Sequence, residues 1–171
     1  MTDREAVEGD VFVDTIEPLI PTAYRLAFAL VHSRDEVDDI IQEATLNAWR
    51  HRHSLREGSQ LRPWFLAIVA NQCRQAVRTR WWSVIRRPDL NSVSGPRDDQ
   101  QSDDVEGLRQ GLLRLKHRDR VVLVLRYYMD MSFEDAASTL RISPQAARVR
   151  THRALARLRP ILDSLEDPNN E

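Results

Sequence analysis

From Arg141 to Pro160 the chain carries six arginines and no acidic residue. A surface that serves only solubility usually mixes both signs. An unopposed run of guanidinium groups instead suits phosphate, which their planar forks match. Gln145, Arg148, Val149, His152 and Arg153 recur at spacings that place them on one side of a helix. Ala147, Thr151, Ala154 and Leu158 recur at spacings of four, three and four, and form the opposite, inward stripe. Small inward residues suit close helix crossing. The chemistry on offer is contact with phosphates and base edges, not bond making or breaking.

Two helices and a tight turn must position these groups. Ser132 is placed to cap the first helix, with Asp135 three residues on as its reciprocal partner. Ser143 is placed to cap the second, and Pro144 takes the first helical position, where a missing N–H costs nothing. Ser132–Arg159 therefore predicts a helix-turn-helix, whose second helix lies in a DNA major groove. The competing reading is a plain helical hairpin with a solvated face. The absence of acids and the small-residue stripe weigh against it.

No other chemistry is set out. Asp35, Asp38 and Asp39 have helical spacing that fits a solvated face. His51 and His53 have no thiol or carboxylate set to complete a metal site. Neither a carboxylate cluster nor a P-loop is present, so neither an enzyme, a cofactor nor a metal is expected. Cys73 is the single cysteine, which allows no internal disulfide and suits a reducing cytosol. No apolar run approaches the roughly 20 residues that span a bilayer, and no apolar signal segment follows Met1.

The net charge of -1 hides segregation. Residues 1–23 carry six acids and one Arg, and 57–87 carry six Arg and one acid. Residues 88–107 reverse this with six acids and one Arg, and 108–160 carry twelve basic residues against four acids. Two basic blocks are thus separated and flanked by acidic stretches, and such blocks suit phosphate contact.

The periodicity is helical throughout. One helix is expected from about Val11 to Val31, perturbed near Pro18 and Pro21. Asp35 starts a second, in which Val37, Ile40, Ile41, Ala44 and Ala48 form an apolar face. Asp39, Gln42 and Glu43 share its polar face. His51–Arg62 reads as a loop, and Pro63 opens a helix that is apolar early and basic late. Residues 87–107 lack periodicity and read as an acidic flexible linker. The run Val121–Leu125 would suit a buried strand, but no second run exists to pair with it. The expected fold is all-α: two small helical domains, 10–86 and 108–163, the second a helix-turn-helix domain.

DDIIQEATLNAW, a polar loop, PWFLAIVANQCRQAVRTR, a linker and a terminal helix-turn-helix follow in order. This arrangement resembles the extracytoplasmic-function (ECF) group of bacterial sigma factors in the sigma-70 family, over Phe12–Arg80 and Leu112–Leu162. The resemblance implies a transcription initiation factor that binds core RNA polymerase at its β′ clamp helices and β flap. It also implies promoter DNA as partner, single-stranded at -10 and duplex at -35, and an anti-sigma factor. The free chain is then a monomer, off the membrane and in the cytoplasm.

By the same resemblance Asp39, Gln42 and Glu43 face the clamp helices. The loop His51–Arg62 corresponds to the one that holds a flipped -10 base, with Arg52, His53 and Arg56 among its donors. Asn71, Arg74 and Arg78 lie on the helix that contacts the -10 strand, and Arg80 extends its basic end. Trp49, Trp64 and Phe65 match apolar core positions, whereas Trp81 and Trp82 have no assigned role. Gln145, Arg148, Val149, His152 and Arg153 belong to the -35 helix. The family run Gly-Thr-Val-Lys-Ser-Arg stands here as Gln145–Arg150, with Gln145 and Val149 departing. Arg141 replaces the turn glycine, and Lys116 stands where a proline is usual. The alternative is a free-standing helix-turn-helix regulator with a helical sensor domain, against which the DDIIQEATLNAW segment argues.

Overall fold

A computed structural model of the chain describes residues 11–55, 60–86 and 103–166, with side chains for 11–55, 60–79 and 107–164. All regular structure among these residues is helical. The chain divides into two compact units, Met1–Val77 and Arg78–Glu171.

In the first unit residues 11–16 are helical and run into a 3₁₀ turn, Glu17–Leu19, before α1, Ile20–Val31. The expected perturbation near Pro18 and Pro21 is this turn. A proline early in a helix removes only N–H groups that have no partner there. Helix α1 ends at His32 in the left-handed region, φ 53°, with its N–H on the Phe28 carbonyl at 2.8 Å.

Helix α2 spans Arg34–Arg50, one residue earlier than expected, because Ser33 caps it by accepting from the Glu36 N–H. Val37, Ile40, Ile41, Ala44 and Ala48 are all buried, as their spacing predicts. A short 3₁₀ turn, Arg52–Ser54, follows. Helix α3 then runs Leu61–Arg86. It opens two residues before Pro63, whose missing N–H falls within the first turn, where it costs little. So the loop is shorter than His51–Arg62. Phe65, Leu66, Val69 and Cys73 are fully buried from this helix, and the thiol is a core group.

In the second unit α4 spans Asp103–Arg114. It begins inside the stretch expected to be linker. Residues 103–107 are helical, while 87–102 lie outside the described residues. Leu108 and Leu112 carry the period of α4, and Leu115 follows directly after it. A Cβ on Gly111 would stand 2.8 Å from Leu162 Cδ2 and 3.1 Å from Leu158 Cδ1, so glycine allows α4 its close approach to the last helix. Helix α5, His117–Leu123, passes into a single π turn, Val124–Tyr128. The apolar run Val121–Leu125 is buried within it as helix, not strand.

Helices α6, Phe133–Leu140, and α7, Pro144–Glu166, form the helix-turn-helix. Ser132 accepts from the Asp135 N–H at 3.0 Å, and its hydroxyl donates to Asp135 Oδ2 at 2.9 Å. The Asp135 carboxylate therefore answers the hydroxyl. Ser143 Oγ accepts from the Ala146 N–H at 3.1 Å, as expected of the second cap. Helix α6 ends on Arg141 at φ 53°, ψ 48°. The Ile142 N–H reaches the Ala137 carbonyl at 3.0 Å and the Arg141 N–H reaches Ser138 at 3.3 Å, which is a Schellman closure.

Arg141 thus holds a conformation that costs an L-residue about 1–2 kcal/mol. Arg141→Gly removes that cost and adds some unfolded-state freedom. A net gain of about 0.5–1 kcal/mol is expected, read as a higher denaturation midpoint. A lower midpoint would mean that the arginine side chain contributes more than its backbone costs.

Candidate functional site

The outward face of α7 is built by what lies beneath it. Ala147, Thr151, Ala154 and Leu158 are all buried, and the Thr151 hydroxyl returns to the Ala147 carbonyl at 2.9 Å. Ala154 and Leu158 join Leu115, Val122 and Leu123 in one apolar cluster. With that stripe fixed inward, Gln145, Arg148, Val149, His152 and Arg153 are all exposed. Ser143 and Pro144 start the helix just before Gln145, so the positive end of its dipole lies beside this face.

Arg148 is braced. Its guanidinium carbon lies 5.1 Å from the centroid of the Phe133 ring, the first residue of α6. Arg126 approaches the same ring at 5.3 Å. Arg126 also meets Asp130 at 3.6 Å and donates to the Met131 carbonyl at 3.4 Å. Phe133 therefore lies against two cations, each attracted by the quadrupole of its ring. Sequence reasoning missed this residue. Its only signal was an aromatic directly after an N-cap, and the contact depends on where the turn returns the chain.

Behind the face, Arg157 Nη1 donates to Asp119 Oδ2 at 2.7 Å and ties α7 to α5. Asp119 is 2% exposed. Arg120, also buried, donates to the Leu113 and Leu115 carbonyls at 3.1 and 3.4 Å, so a cation closes the C-terminal end of α4. Neither contact was anticipated from the sequence, which placed both residues only within a basic block.

In the first unit Asp39, Gln42 and Glu43 are exposed together on α2. Glu43 lies 3.9 Å from Arg50, in an exposed pair. Leu46, one turn on, is 48% exposed and extends the face with an apolar group. The sequence reading omitted it, although its spacing of three from Glu43 and seven from Asp39 placed it there.

The loop after α2 differs from a free basic strand. The Arg52 guanidinium lies 3.8 Å from the Trp49 ring centroid and donates to the Trp49 carbonyl at 3.0 Å. Trp49 is half-buried, edge-on to Phe12 at 5.2 Å, so it is less a core residue than expected. His51 Nδ1 donates to the Asn47 carbonyl at 2.9 Å, and His53 is exposed. Arg56 lies outside the described residues, as do the side chains of Arg80, Trp81 and Trp82. Asn71, Arg74 and Arg78 are exposed along α3, at spacings of three and four. Trp64 is half-buried and Phe65 is in the core.

Among the described residues no group of three metal-ligating side chains occurs, and no helix is long and apolar enough to cross a membrane.

A family model described as sigma-70 region 2 matches residues 15–83, and one described as sigma-70, region 4 matches residues 106–158. The RNA polymerase sigma factor CarQ of Myxococcus xanthus is 29% identical over 92% of each chain. The RNA polymerase sigma factor NccH of Alcaligenes xylosoxydans xylosoxydans is 30% identical over 75% of this chain and 74% of its own. Among solved structures, the sigma factor RpoE of Bartonella quintana, crystallised with the anti-sigma factor NepR, superposes with a TM-score of 0.67. It is 25% identical, over 89% of this chain and 96% of that one. With a helix-turn-helix unit exposing a basic face and a helical unit exposing an acidic one, the chain belongs to the ECF group of the sigma-70 family.

Proposed function

We infer that the chain is a promoter-specificity subunit: it directs core RNA polymerase to particular promoters and initiates transcription there. It is a transcription factor and not an enzyme, and acts in the cytoplasm. The observation that carries this is α7, whose small residues are buried and whose five outward residues are exposed to a groove. Region 4 places that face on duplex -35 DNA. Region 2 holds the melted -10 strand along Asn71, Arg74 and Arg78, with His53, Arg56 and Arg52 in the preceding loop. For Arg52 this contact competes with its stacking on Trp49. Asp39, Gln42 and Glu43 take the β′ clamp helices, and region 4 meets the β flap.

The domains run 10–86 and 108–163, joined by the acidic stretch 87–107, whose last residues, 103–107, already belong to α4. Its negative charge suits a basic channel that otherwise takes nascent RNA. An anti-sigma factor is the partner of the free chain, which is then a monomer. Region 4 offers a basic face and region 2 an acidic one, and a partner that covers either would silence the protein.

In vitro transcription with purified core polymerase on genomic fragments tests the reading. Discrete start sites that vanish without the chain are expected. Tight, sequence-specific binding of promoter duplex without polymerase would favour the free-standing regulator instead.

Arg148→Ala separates two modes of contact. If the guanidinium forks onto a guanine edge, the substitution costs about 1–3 kcal/mol and relaxes preference at one base pair. If it meets only phosphate, binding falls evenly and the salt slope drops by about one. Gel shifts of the holoenzyme across salt and across single-base variants read both. No change in either would remove Arg148 from the interface.

A further inference from the structure

Val149 stands in the middle of the outward face of α7. Gln145 lies one turn before it, and His152 and Arg153 lie one turn after it. Arg148, beside it, is drawn toward Phe133. Each of these four neighbours carries an N–H group that donates to phosphate or base. Val149 carries none and is 38% exposed.

A single exposed valine is ordinary on a free surface. In a major groove it is not neutral, because docking removes it from water and places it against base edges. Those edges present acceptors on guanine, adenine and thymine, donors on adenine and cytosine, and one apolar group, the C5-methyl of thymine. Valine opposite a polar edge strips that edge of water and returns no hydrogen bond, which is unfavourable. Opposite a thymine methyl it buries apolar surface at no such cost. Serine at the same place could bond to more than one base and would discriminate less.

We propose that Val149 is a specificity-determining residue that reads the C5-methyl of one thymine in the -35 element. The inference rests on α7 being the -35 reader and adds the chemical group it selects. Discrimination here comes from repelling polar edges as much as from attracting the methyl.

The test uses the reconstituted holoenzyme. Promoter duplexes with a randomised -35 stretch are selected by binding, and each thymidine of the selected element is then replaced singly by deoxyuridine, which removes only the methyl. One thymine is expected to lose roughly fourfold in affinity on demethylation, the equivalent of one buried methyl group. In Val149→Ala that sensitivity should collapse toward one. In Val149→Ser the selected base at that one position should broaden while its neighbours hold. A selected element without a T·A pair under the helix overturns the proposal. So does a wild type indifferent to every demethylation, or an unchanged sensitivity in Val149→Ala. If no base change in the -35 stretch alters binding while transcription persists, the -35 role of α7 itself fails, and the proposal with it.

Discussion

Replacing Asp39, Gln42 and Glu43 together with Ala is expected to weaken binding to core polymerase about a hundredfold or more. The three side chains are exposed on one face of α2, with the helix held from behind by buried Val37, Ile40, Ile41, Ala44 and Ala48. The substitutions therefore leave the packing untouched, and alanine favours the helix, so helicity should hold. Two carboxylates and an amide offer charge-assisted hydrogen bonds, each about 1.5–3 kcal/mol when desolvated. Even two of them, partly screened, give about 3 kcal/mol, a little over a hundredfold. The existing Glu43–Arg50 pair subtracts little, since both side chains are more than half exposed and such pairs contribute about 0–1 kcal/mol. Leu46 supplies a separate arm. It is about half exposed when free, so its burial in the complex adds roughly 1 kcal/mol, and Leu46→Ala should cost about fivefold. Fluorescence titration of labelled core polymerase reads both. A triple variant that binds as well as the parent would take this face out of the polymerase contact.

The exposed face of α7 was legible because its determinants are local. Two serine caps, a proline at the first helical position and a small-residue stripe fixed the helix start and rotation. Every one of these sits within 16 residues of Ser143. The buried face of α2 was legible for the same reason. The start of α4 was not, because its first turn is mostly acidic, Gly107 follows directly after it, and the helix relies on packing by later residues such as Leu112 and Leu115. Phe133 and Arg148 are separated by a turn whose geometry hangs on Arg141 in the left-handed region. Sequence noticed that the glycine was absent there, but not that an arginine would adopt the glycine conformation. The stacking of Arg52 on Trp49 was likewise hidden, since a basic residue in a basic loop reads as available charge. In the last two cases a cation was counted for its charge, while the fold uses its planar face or its donors.

The Asp119–Arg157 bridge shows how far such contacts lie beyond local pattern: its partners are 38 residues apart. Asp119 sits in the first turn of α5, where a carboxylate is favoured, yet the residue is 2% exposed and its charge is out of water. Arg157 is about half exposed, 53% for its side chain, and acts as a cationic cover. Arg157→Ala uncovers a carboxylate in a site shaped for a guanidinium. A fully buried unpaired charge costs about 3–5 kcal/mol, but water can enter where the arginine lay, so a loss of about 2 kcal/mol is expected. Adding Asp119→Asn should restore part of it, because the remaining group is then neutral, giving a coupling of about 1 kcal/mol in the double-variant cycle. Amide hydrogen exchange is the suitable readout in a chain of two units, where one global midpoint mixes both. Exchange should quicken in α5 and α7 and stay unchanged in α2. The same variant should lose -35 affinity without losing the bases it prefers, since Arg157 positions α7 and lies outside its reading face. Unchanged exchange in α5 and α7 would mean that the bridge contributes nothing to holding α7. A changed base preference would mean that Arg157 itself enters the groove.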